Sequence, residues 1–206
     1  MIDLAKSRKQ KIHTRGIEIA TYEVGPDSIL VEGVLTDERL ANAYRATGEI
    51  LPPGTVHHMI IRMEVRGPEL VIEDIEVEMP TVPMQECIET LDSLLPLKGL
   101  PIVSGFTNRV KNLVGGTKGC AHLVALITAM APAAVQGAWA AMTSKPRDPA
   151  TVLPGAMERI KDTCRVWRAD GPMLIDSENY TLIVKLSPIL PFRSDALAPV
   201  CIQVYE

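Results

Sequence analysis

Four runs of alternating, β-branched residues fill most of the first eighty positions, with helical patterns confined to the later part of the chain. The runs are residues 16–24 (GIEIATYEV), 28–36 (SILVEGVLT), 57–66 (HHMIIRMEVR) and 70–79 (LVIEDIEVEM). Alternation of this kind is the signature of half-buried strands. Gly25-Pro26-Asp27 and Gly67-Pro68 are turn signals between neighbours, so two hairpins are expected. The link 37–56 joins them; its Leu40, Ala43 and Tyr44 suit a helical turn, and Pro52-Pro53-Gly54 ends it. Strands succeeded by helices, without βαβ alternation, indicate an α+β fold. The expectation is an antiparallel four-stranded meander with helices packed on one face.

The second half carries the helical periodicity. Residues 84–95 place Cys87, Ile88, Leu91 and Leu95 at helical spacing before Pro96. Residues 103–113 align Val103, Phe106, Val110 and Leu113, and Gly115-Gly116 stops them. A long apolar helix begins at about Thr117, expected to break near Pro132, and a further helix covers roughly 154–167. Tyr180–Leu186 reads as one more strand, and Pro188, Pro191 and Pro199 mark an extended tail. At 206 residues the chain suits a single domain, 1–206, with a core over 15–170 and a C-terminal strand and tail over 171–206. With aromatics at 4%, that core must be aliphatic.

From Gly119 to Met142 the chain carries no formal charge, a stretch long enough to span a bilayer. Alanine dominates it and His122, Pro132 and Gln136 interrupt it, whereas a strong spanning helix is rich in Leu, Ile, Val and Phe. A buried central helix is the reading, with no membrane partner. The N-terminus lacks the apolar segment of a secretory signal, so a cytoplasmic location with reduced thiols is expected. The four cysteines, Cys87, Cys120, Cys164 and Cys201, form no CxxC pair. A net charge of -4 argues against a nucleic-acid footprint. The basic cluster Lys6–Arg15 reads as a solvated, frayed terminus.

Chemistry is concentrated in two places. On the third strand, parity puts His57 inward with Met59, Ile61, Met63 and Val65, while His58 faces outward. The stretch GGTKGCAHL, residues 115–123, leads into the long helix. A Walker loop needs Gly-Lys and then Ser or Thr, and here the order is Thr117-Lys118-Gly119. A cysteine in a first helical turn gains acidity from the unpaired amides and macrodipole, so Cys120 is placed there as a ligand or nucleophile. His122 would then lie about 200° from it around an ideal helix, so a shared site requires an irregular helix start. The alternative is an ordinary helix entrance with a buried, inert thiol.

His57-His58-Met59, Cys87 within PMQEC, the Gly119-Cys120-Ala121-His122-Leu123 box, Gln136 and Asp162-Thr163-Cys164 together resemble an uncharacterised bacterial family, domain of unknown function 2889. The resemblance covers most of residues 15–170, with Ala121 where the family usually has Thr. It implies a fold and candidate residues, without an activity. A second likeness, to NifU-like iron–sulfur scaffold proteins, rests on antiparallel strands, Cys87, Lys98-Gly99 and a cysteine near a histidine at a helix start.

Three functions stand as alternative expectations. In the first, His57, Cys87, Cys120, His122 and Cys164 are candidate ligands for a metal, zinc or an iron–sulfur unit. In the second, Cys120 is a nucleophile with a histidine base and Glu86 or Asp162 as orienting carboxylate. In the third, the chain is a small-molecule binding or self-associating module, a homo-oligomer with core cysteines.

Overall fold

The computed structural model describes residues 3–144, 161–162 and 164–171. The chain divides into two compact units, Met1–Lys145 and Pro146–Glu206. Within the second unit, the described residues form turns in which Asp162 Oδ1 accepts the amide of Ala169 and Cys164 is exposed. Most of the predicted helix 154–167, the predicted strand Tyr180–Leu186, the proline-rich tail and Cys201 lie outside the described residues.

The first unit is an α+β fold built on one antiparallel sheet. Its strands are β1 (His13–Gly25), β2 (Ser28–Arg39), β5 (Gly54–Arg66) and β6 (Val71–Thr81), and they lie in that spatial order. The four-stranded meander read from alternation is present, each strand running up to three residues further at one end or both than its sequence pattern, except at the start of β6. The link 37–56 differs from expectation. Residues 37–39 continue β2, and β3 (Ala43–Tyr44) pairs with β4 (Ile50–Leu51) as a small antiparallel hairpin instead of a helical turn. Main-chain bonds between Arg45 and Glu49 and between Gly48 and Arg45 close that hairpin, which satisfies the backbone more completely than one isolated turn.

Three helical elements cover one face. A 3₁₀ segment (Gln85–Leu97) lies along β6; α1 (Phe106–Val114) packs beside it; α2 (Ala121–Thr143) crosses β2 with β1 and β5 alongside. Pro132 does not break α2, which continues through it. Pro132 is exposed, so its ring stands on the solvent side, where the lost hydrogen bond is cheapest. By length and composition alone α2 is long and apolar enough to cross a bilayer. In this fold its Leu123, Leu126, Ile127, Met130 and Ala134 are fully buried in the core, opposite Val31, Leu35, Met59, Ile61 and Met63 of the sheet. The approach is close at Gly33, where an added Cβ would lie 2.6 Å from Met130 Sδ.

The inward face of β2 reads Ile29, Val31, Gly33, Leu35 and then Asp37. The apolar row therefore ends in a carboxylate, beneath the N-terminus of α2. That end of the sheet is the chemically distinctive part of the molecule.

Candidate metal centre

Register assembles the site. Arg15 on β1, Asp37 on β2 and His57 on β5 are directly paired across three adjacent strands, so their side chains stand in one row on the inward face. The β2–β5 ladder slips between Asp37 and Glu38, leaving Val56 as an extra residue beside His57. The β5–β6 ladder slips between His58 and Ile60. Bulges of this kind bend a strand and re-aim the side chains next to them.

Asp37 is the hub. Its side chain is only 3% exposed, and Arg15 grips it with Nε to Oδ1 and a terminal nitrogen to Oδ2, both at 2.7 Å. His57 Nδ1 lies 2.9 Å from Oδ2. His13 Nε2 stands 3.4 Å from Oδ1, and His122 Nε2 stands 3.6 Å from Oδ2. A buried carboxylate is tolerated only with partners of this quality. The hydrogen bonds from Arg15 hold its pKa down to about 2, against the opposing cost of burial, with smaller contributions from the Arg15 and His57 charges.

His122 comes from the opposite layer, in the first turn of α2, and lies against His57 with ring centroids 3.9 Å apart and planes 31° from parallel. Burial lowers the pKa of His122, and the positive charges of His57 and Arg15 add to the effect more strongly than Asp37 opposes it. The neutral imidazole, the form that binds metals, is therefore favoured.

Cys120 is not in the first helical turn. It is the N-cap of α2, with φ -95° and ψ 129°. This extended residue takes the thiol off the helical wheel, so the 200° separation of an ideal helix does not apply. Cys120 Sγ lies 3.7 Å from His122 Nδ1. Gly119 makes the sharp approach feasible: a Cβ there would sit 2.7 Å from the carbonyl oxygen of Val114 and 3.1 Å from Ser93. The glycine-rich stretch is thus a helix entrance that sets His122 into the site with Cys120 against its ring.

The ligand-type atoms of Asp37, His57 and His122 all fall within 4.8 Å of one another. Neither Cys87, on the 3₁₀ segment, nor Cys120 contributes an atom to this group, and Cys164 belongs to the second unit. Of the five ligands expected from sequence, the fold brings together His57 and His122, and Cys120 touches His122 from outside the group. It adds Asp37 and Arg15, which sequence reasoning missed. Arg15 is no part of a frayed terminus; it lies within β1. Two signals could have found them: Asp37 has the same inward parity as Leu35, and a carboxylate at core parity demands a cationic partner. Neither Glu86 nor Asp162 is the carboxylate in the cluster; Asp37 is.

No curated protein and no solved structure matches the chain. A family model does match, over residues 13–136, a span that opens on His13 and holds Arg15, Asp37, His57, Cys120 and His122. The chain belongs to the family described as protein of unknown function (DUF2889).

Proposed function

We propose that this protein binds a single transition-metal ion at the end of its sheet, in the cluster of Asp37, His57 and His122, with Cys120 beside His122. The observation that carries the reading is the convergence of ligand atoms from Asp37 on β2, His57 on β5 and His122 on α2 within 4.8 Å, in a setting where burial disfavours the charged form of His122. Imidazole and carboxylate donors suit zinc or iron. With no thiol in the cluster and only Cys120 beside it, a mononuclear ion fits better than an iron–sulfur unit, which draws on several cysteines. The NifU-like likeness would call on Cys87, which stands outside the cluster. Metal analysis of protein purified without a histidine tag tests the reading. Stoichiometric zinc or iron in the wild type, lost in the double variant His57→Ala/His122→Ala, is expected. Metal-free wild type that also fails to take up added zinc would refute it.

One contact favours a second reading, in which Cys120 is a nucleophile. Sγ lies 3.7 Å from His122 Nδ1, and the other nitrogen of that ring faces Asp37 at 3.6 Å. A thiolate–imidazolium pair requires a protonated His122, and burial works against that charge. Rapid, metal-independent alkylation of Cys120 that slows as His122 is replaced by Gln would favour the nucleophile.

A further inference from the structure

We infer that β1 is a self-pairing edge: two copies of this chain join antiparallel along it, so that the four strands of each form one continuous sheet. The inference is independent of the metal reading.

The two edges of the sheet are built differently. At the start of β6, Ile72 donates to the Leu100 carbonyl and accepts from the Gly99 amide, and Val71 bridges to Pro101. The β5–β6 ladder slips twice, Pro80 lies near the end of β6, and Glu73, Asp74, Glu76 and Glu78 stand exposed along it. Cover, bulges, proline and charge are the devices that keep an edge strand from pairing. β1 is long and lacks most of them. Its thirteen residues, His13–Gly25, include no proline and no lysine, and its register with β2 is unbroken from His13 to Glu23. Its one arginine, Arg15, is turned onto Asp37. Among the described residues no strand pairs with its outer side, and Ile17, Tyr22 and Val24 stay exposed.

Charge identifies the occupant as a second copy. Lys6, Arg8, Lys9 and Lys11 lead into β1, while Glu18, Glu23 and Asp27 lie in its later part or just past it. Antiparallel self-pairing therefore sets each basic end beside the acidic end of the other copy. Full overlap of the two strands centres the pair on Ile19. Arg15 then faces the partner's Glu23, Ile17 faces the partner's Thr21 and Glu18 faces the partner's Ala20, with Cβ atoms about 4.5–5.5 Å apart. A slip that centred the pair on Glu18 would set that carboxylate against its own copy. In the full-overlap register a partner carboxylate reaches the guanidinium that grips Asp37, so the seam borders the candidate metal centre.

The long helix supplies a second, separate observation. From Ala121 to Thr143 it carries no Asp, Glu, Lys or Arg, even around exposed Gln136, Trp139 and Ala140. A helix face turned to water normally carries charge. Gly137 of α2 packs against Thr21 of β1, so this part of the helix stands over the edge strand. The two-fold axis of an antiparallel pair is perpendicular to the sheet and keeps both α2 helices on one face. The uncharged surface then meets its own counterpart, as an isologous contact requires.

Sedimentation equilibrium of the full chain, without a tag, tests the pairing. It should give twice the 22.5 kDa of one chain. Ile17 is 41% exposed, so Ile17→Lys should keep the wild-type circular dichroism. Its dimer affinity should fall roughly tenfold. Glu23→Lys sets a cation against the partner's Arg15 and should weaken the dimer several-fold, less so at high salt. Amide exchange should show β1 protected in concentrated wild type and released on dilution, a readout that stands even if a variant fails to fold. Wild type that stays monomeric at its highest soluble concentration would overturn the inference. So would a dimer whose β1 amides exchange as freely as those of the diluted protein, or a monomer whose β1 amides are protected from within its own chain. A dimer indifferent to Glu23→Lys would overturn the register.

Discussion

Arg15 and Asp37 stand opposite each other in register on β1 and β2, and the guanidinium closes on both carboxylate oxygens at 2.7 Å. This pair joins the edge strand to the centre of the sheet at the point where the apolar row of β2 ends. It makes a buried charge tolerable, and it also orients His57. Stability and site geometry are therefore coupled through Asp37.

The metal-free protein should show an acid limb of stability. The Asp37 pKa falls from an ordinary 3.8 to about 2 in the folded state. A depressed carboxylate stabilises the fold fully above the unfolded value and loses that contribution as pH falls through the folded value. The contribution is about 2 kcal/mol, present above pH 4 and lost towards pH 2. Urea unfolding across this range should show the wild type and Asp37→Asn converging at low pH. A gap that stays constant from pH 6 to pH 2 would contradict it.

Removing the other partner should move that limb. Arg15→Gln leaves a buried carboxylate with one bidentate partner missing, at a cost of about 1–3 kcal/mol near neutral pH. The Asp37 pKa should rise towards its ordinary value, so acid unfolding begins at higher pH than in the wild type. Carbon-detected NMR titration of Asp37 measures this directly. An unchanged pKa in Arg15→Gln would show that the guanidinium is not what holds it down.

His122 predicts a second, milder slope. Its folded pKa lies below the ordinary 6.5, chiefly through burial. Below pH 6.5 the unfolded chain takes up this proton before the folded one does, so stability should fall as pH drops from 7 to 5. His122→Gln should flatten that part of the curve in metal-free protein. Equal slopes in both proteins would place the titrating group elsewhere.

Core packing should be most sensitive under α2. Leu126 is fully buried, and Leu126→Ala should cost about 2–5 kcal/mol by denaturant unfolding. A cost below 1 kcal/mol would mean that α2 is not seated on the sheet as described.

The glycine before Cys120 should be equally specific. In Gly119→Ala the new Cβ meets the Val114 carbonyl, which is backbone and cannot swing away, so the substitution should cost about 1–3 kcal/mol. Lys118→Ala, which removes an exposed Nζ that donates to the Asn112 carbonyl, should stay within about 0.5 kcal/mol. Comparable losses for both would show that the loop is held by something other than this close approach.

The sheet and its inward face were legible in the residue pattern. Alternation in β5 assigned His57, Met59, Ile61, Met63 and Val65 to one side, because a pleated strand can bury only every second residue. Turn residues and segregated helices dictated the antiparallel order. Cys120 and His122 were marked as well, since a cysteine and a histidine beside glycines at a helix start are chemically conspicuous. How these groups meet is a matter of tertiary packing. Whether Cys120 and His122 face each other depends on one residue being a cap instead of a helical position, a backbone choice that helical periodicity cannot resolve. Arg15 and Asp37 are twenty-two positions apart and join only through the β1–β2 register. Cys87 shares the chemistry of the site residues, yet it stands outside the cluster because its element packs along β6. Local pattern reports which side a residue faces; only strand register and the seating of α2 on the sheet report what it faces.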